Sequence, residues 1–227
     1  MLIRNHPHSD TFHGTAEKLF LLLILGITLC LFAGCAPPLQ SVQPAVTYTL
    51  HYEPQPINER LPLPASIRVV SFGTAPEYQT DNIVYQPEPF IRNSYPYHRW
   101  LSSPAELVRY FLERDMKKSG LYQAVAPPSS RYQATYSLGG TVEDFLEIDE
   151  EQQWFARLSL NIILQELSNS KSSSHILLQK SYSISTPCTE KTPGALVKAM
   201  SMAMSDLSRQ IQLDTYEILA ENLKKDM

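Results

Sequence analysis

Cysteine is nearly absent from this chain and glycine is scarce. Its 227 residues include three cysteines and eight glycines, against 17 prolines. Cys30, Cys35 and Cys188 form no Cys-x-x-Cys and no His-Cys cluster with metal-ligand spacing. That excludes the usual zinc and dithiol redox centres. Basic runs are also missing. A net charge of −4 argues against nucleic acid, whose binding calls for a positive face. The sequence has no Gly-rich phosphate loop, no Gly-x-Ser-x-Gly elbow and no His-Glu-x-x-His. His51, His98 and His175 lie far apart and read as surface or packing residues. The acids Glu143, Asp144, Glu147, Asp149, Glu150 and Glu151 lack calcium-loop spacing and straddle a hairpin tip, so they read as a solvated turn. Cys188, in Ser-Thr-Pro-Cys-Thr-Glu, has no basic partner in view and reads as a small semi-buried residue. The expectation is no catalytic residue, no metal and no cofactor, hence no enzyme.

No apolar run is long enough to span a bilayer as a helix, which takes about twenty residues. The longest, Leu19 to Ala33, has fifteen residues and no charge. It follows Arg4 and Lys18 and has the length of a secretory signal core. Its end, Phe32-Ala33-Gly34-Cys35, resembles the lipobox of bacterial lipoproteins, with Phe32 where leucine is usual. Small residues at Ala33 and Gly34 admit the backbone to a peptidase that cleaves between Gly34 and Cys35. The Cys35 thiol then carries a diacylglycerol and its freed amine a further acyl chain. Two or three chains, at about 0.8 kcal/mol per buried CH₂, hold a protein stably on a membrane. Ala36 stands where an aspartate would retain the product in the inner membrane, which favours the outer membrane facing the periplasm. Cys30 leaves with the signal and Cys35 is modified. Cys188 is then unpaired within the chain, and the fold has to stand without a disulfide. The expected boundaries are a signal at 1–34, a proline-rich tether at 35–44 and one domain at 45–227.

Within that domain, alternation of β-branched and aromatic residues predicts strands over Ala45–Tyr52, Ser66–Phe72 and Asn82–Gln86. A proline-rich link separates the first two. Ser103-Pro104-Ala105-Glu106 is a capping box with proline at the first helical position, so a helix runs to about Lys118. A strand from Leu121 to Val125 follows. A long meander comes next: Tyr132–Ile148, bent or bulged at Gly139-Gly140, then Trp154–Leu167, a serine-rich loop tip, and Ser174–Thr186. In the second of these, Trp154, Ala156, Leu158, Leu160, Ile162 and Leu164 fall on one face. Thr192-Pro193 opens a helix to about Lys224, with Leu196, Ala199, Met200, Ala203, Leu207 and Ile211 as its apolar stripe. Met202 and Met204 flank that stripe. The fold class is α+β: an antiparallel sheet, meander plus N-terminal strands, with two helices packed on one face.

The aromatics Tyr85, Phe90, Tyr95, Tyr97 and Trp100 fall in a stretch read as irregular before the first helix. Tyr85, Tyr97 and Trp100 are the candidate partner contacts, since an exposed aromatic anchors an interface. Trp100 suits the gap between sheet and helix equally well.

The order of short signatures is similar to one family. The lipobox precedes Tyr48-Thr-Leu50, Ile67-Arg-Val-Val-Ser-Phe72, Ala75-Pro76-Glu-Tyr78 and Ile83-Val-Tyr85. Trp100 precedes the Ser-Pro-Ala-Glu-Leu helix, and Leu138-Gly-Gly-Thr-Val-Glu-Asp-Phe145 follows. The chain resembles the ABC-type transport auxiliary lipoproteins, the Pqi-type lipoproteins that accompany mammalian cell entry (MCE) domain proteins. The resemblance implies an outer-membrane lipoprotein of an ABC-driven lipid transport system that docks the periplasmic MCE protein. It implies no catalytic residues and allows a homo-oligomer. The alternative is a structural lipoprotein that binds lipid or cell wall without a transporter.

Overall fold

The structure is a computed structural model that describes residues 44–57, 60–167 and 175–225. The signal, Cys35, most of the tether and the serine-rich tip lie outside the described residues. The elements are β1 (Val46–Tyr48), β2 (Leu63–Thr74), β3 (Asn82–Gln86), β4 (Asn93–Trp100), α1 (Pro104–Ser119), β5 (Tyr122–Ala126), β6 (Tyr136–Asp149), β7 (Trp154–Glu166), β8 (His175–Pro187) and α2 (Pro193–Lys225), with a 3-10 turn at Pro76–Tyr78.

Both helices start where the sequence caps them. The Ser103 hydroxyl accepts from the Glu106 amide, Pro104 takes the first turn, and Gly120 ends α1 at φ 66°, the left-handed conformation glycine adopts at no cost. The Thr192 hydroxyl accepts from the Ala195 amide at 3.2 Å to open α2. The apolar stripes of both helices are buried; Met204 joins that of α2, whereas Met202 is exposed. α1 packs on β2, β5 and β6, α2 packs on β7, β8 and β2, and the helices touch each other.

The α+β class is as expected. β6, β7 and β8 form the antiparallel meander, and β3 and β4 are antiparallel neighbours. The N-terminal strands join in parallel: β2 pairs with β5 and β6, β3 with β6, and β1 with β4. Such non-local pairings leave no turn signal in the sequence.

β6 is the spine of the sheet. One edge pairs with β7 along its length. The other edge is shared: Tyr136–Val142 pairs with β2, and Leu146–Ile148 pairs with β3. The sheet therefore forks, with β2–β5 as one arm and β3–β4–β1 as the other. Two bulges mark the fork. Val142 and Asp144 face consecutive residues of β7, Leu160 and Ser159, so Glu143 is extra. β2 also has an extra residue between Val69 and Phe72, facing the glycines of β6. The expected β6 bulge thus lies three residues beyond Gly140. Gly140 has a different role. A Cβ there would stand 1.9 Å from the Asn161 carbonyl oxygen, so only glycine lets β7 come this close.

The proline-rich link after β1 is a strap over the helices. The His51 amide donates to Ser201 Oγ of α2 at 3.0 Å, the Tyr52 hydroxyl to Asp115 of α1 at 2.7 Å, and Gln55 Nε2 to Asp206 of α2 at 2.5 Å. Its polar groups thereby tie α1 to α2.

Candidate functional site

The β3–β4–β1 arm carries Tyr85, Tyr95, Tyr97 and Trp100, singled out in the sequence, together with Tyr48 and His98. β4 is a strand, not the irregular segment expected. Its irregularity is local. Asn82 of β3 faces Arg99 and Val84 faces Ser94, so β4 carries three extra residues around Pro96. Proline has no amide to give to a ladder, which breaks the alternation here. As a result Tyr95 and His98 both turn inward, their rings meeting edge to face at 5.7 Å. Tyr48 of β1 stacks on His98 at 5.8 Å, its hydroxyl 3.1 Å from Nδ1. Tyr85 lies against Tyr95 with ring centroids 4.7 Å apart.

At the end of this aromatic row is Glu147, which is fully buried. The Glu143 bulge accounts for it. Val142 faces inward opposite Leu160; past the extra residue, Phe145 and Glu147 face inward opposite Leu158 and Ala156. The Tyr95 hydroxyl donates to both carboxylate oxygens at 3.0 Å. Burial pushes the Glu147 carboxyl up to about 7; the Tyr95 hydrogen bond opposes the rise and the Asp149 charge adds to it. The expectation of a solvated acidic turn is corrected for Glu147. The tip itself is a tight turn in which Glu150 and Gln153 exchange backbone hydrogen bonds. The Lys191 ammonium closes it, at 2.8 Å from Asp149 and 3.0 Å from the Glu150 carbonyl.

The candidate partner contacts separate. Trp100 is corrected: it is 2 % exposed, meets Phe145 edge to face at 5.1 Å and plugs the core. Tyr85 is half-buried. Tyr97, turned out by the bulge, is 46 % exposed. Cys188 is buried, and burial with the Glu147 charge pushes its thiol up to about 11, so little thiolate exists at neutral pH. Among the described residues no group of three His, Cys, Asp or Glu side chains could hold a metal.

The family model for the ABC-type transport auxiliary lipoprotein component matches residues 48–212. The chain belongs to this auxiliary lipoprotein family. The match runs from β1 into α2, so both arms, the strap and the meander are parts of the auxiliary lipoprotein domain. No curated protein matches the chain in sequence. Among solved structures, protein XCC0632 from Xanthomonas campestris superposes with a TM-score of 0.70 at 16% identity, covering 79% of this chain and 99% of that one. The hypothetical protein CT253 from Chlamydia trachomatis gives 0.50 at 6% identity, covering 69% and 98%. At these identities the likeness is one of fold.

Proposed function

We propose that this auxiliary lipoprotein is held in the outer membrane through acyl chains on Cys35 and docks the MCE-domain protein of an ABC-driven lipid transport system. The observation that carries the reading is the family match over residues 48–212. The lipobox ending at Gly34-Cys35 and the neutral Ala36 support the anchor and its membrane. Tyr97, exposed on the β4 bulge, is the ring offered to the partner, with the half-buried Tyr85 on β3 of the same arm. The role proposed is binding and positioning, without catalysis. A buried thiol of high pKa and a carboxylate sealed under Tyr95 suit that role, because neither presents a reactive group to solvent.

The test is membrane fractionation with affinity capture, comparing the natural chain with Cys35→Ser. The natural chain is expected in the outer-membrane fraction, bringing the MCE protein of its own transport system with it. Cys35→Ser is expected in the soluble periplasmic fraction. Natural chain found in the inner membrane, or captured without the MCE protein, would refute the reading.

A further inference from the structure

The tip of the β3–β4 hairpin breaks two rules at once. Phe90 is fully exposed, at 101 %, and its backbone sits at φ 70°. It is the one non-glycine residue with positive φ among the described residues. The Ile91 amide donates to the Glu88 carbonyl at 3.2 Å, closing a four-residue turn with Pro89 second and Phe90 third. Proline followed by positive φ is the type II arrangement, whose third position is glycine's by preference. A phenylalanine there strains the backbone, and its full exposure means that no packing within the domain offsets it. Ile91 beside it is 43 % exposed. Two prolines, Pro87 and Pro89, precede the pair. Neither the turn nor the core favours these side chains, so a surface outside the domain does.

The path of the chain says which surface. β4 runs from Asn93, at the tip, toward Trp100. β1 lies parallel to it, with Val46 opposite His98. The chain therefore enters β1 from the side of the tip. Asn93 to His98 covers at most about 17 Å along the strand. The nine links from Cys35 to Pro44 span at most about 32 Å. Acyl chains on Cys35 and the Phe90 tip can thus meet one membrane plane. We infer that Phe90 and Ile91 seat in the interfacial layer of the bilayer that holds the chain's own anchor, fixing the domain's orientation on it. This rests on the Cys35 reading above. Glu88, Glu150 and Glu151 line the cleft beside Pro89, and their charge selects a zwitterionic surface over an anionic one.

Fluorescence of the full lipidated chain on zwitterionic vesicles, with and without brominated acyl chains, tests this. The natural chain supplies the background emission: Trp100 is buried and Trp154 half-buried. Phe90→Trp adds a reporter at the tip. Leu61→Trp adds one just before β2, at the opposite end of the domain, where Leu61 is 82 % exposed. Brominated lipid is expected to remove about half of the emission added at position 90, as seating at an interfacial depth of about 5–10 Å implies. It should leave the emission added at position 61 unchanged. Flotation of the chain with no quenching at position 90 would overturn the tip contact while leaving the anchor intact. Failure to float would refute the Cys35 anchor and this inference with it. Emission at position 90 that ignores brominated lipid but shifts on addition of the MCE protein would make the tip a protein contact instead.

Discussion

Tyr95 donates its hydroxyl hydrogen to both carboxylate oxygens of Glu147 at 3.0 Å, joining the β4 arm to the spine of the sheet through a buried acid. This pair makes stability depend on pH. The Glu147 carboxyl titrates at about 7 in the fold, against an ordinary 4.5. Between those values the unfolded chain has released the proton and the folded chain keeps it. Stability therefore falls as pH rises from 4.5 to 7, by about 3 kcal/mol for this one group, and the penalty is constant above 7. Glu147→Gln removes the titration. Urea unfolding at a series of pH values is expected to show the variant more stable than the natural chain at pH 8, with the difference vanishing toward pH 4.

Trp100 and Tyr97 sit three residues apart and are predicted to respond oppositely. Trp100→Ala empties a core position beside Phe145 and should cost about 3–5 kcal/mol of stability. Tyr97→Ala removes an exposed ring. It should leave the thermal midpoint unchanged while weakening binding to the MCE protein about tenfold, the loss of a moderate interface anchor. Calorimetric unfolding and a binding titration on both variants separate the two roles.

Gly140→Ala forces a methyl group against the Asn161 carbonyl, where only 1.9 Å is available. The expected cost is about 3 kcal/mol, at the upper end for overpacking. Chemical denaturation of the purified variant measures it.

The strap offers a smaller effect. Tyr52→Phe deletes the 2.7 Å hydrogen bond to Asp115, a carboxylate that is 1 % exposed. Arg114 still pairs with Asp115 at 2.7 Å. The loss should be about 1.5–3 kcal/mol, as for a hydrogen bond to a charged acceptor, read as a shift in the urea midpoint without a change in slope.

The parts of this fold that were legible in the sequence are those set by local chemistry. Ser103 and Gly120 mark the ends of α1, and strict alternation from Ala156 to Leu164 names the buried face of β7. What was hidden depends on pairing at a distance. Pro96 and its neighbours break the alternation of β4, so a strand reads as loop. The extra residue at Glu143 shifts Phe145 and Glu147 to the inside, and an acid within an acidic run gives no local sign of burial. The parallel joins of β1, β2 and β3 have no turn to announce them. Phe90 was visible as an aromatic, but its strained turn and full exposure follow only from the backbone. The proposed anchor at Cys35 rests on the sequence alone.

The central claim is that the domain holds a periplasmic MCE protein at the outer membrane. Photo-crosslinking in cells from position 97 tests it most directly, with a photoreactive phenylalanine in place of Tyr97. A single adduct containing this chain and the MCE-domain protein is expected, recovered in the outer-membrane fraction and lost in the Cys35→Ser background. An adduct confined to the inner membrane, or none with the MCE protein, would contradict it.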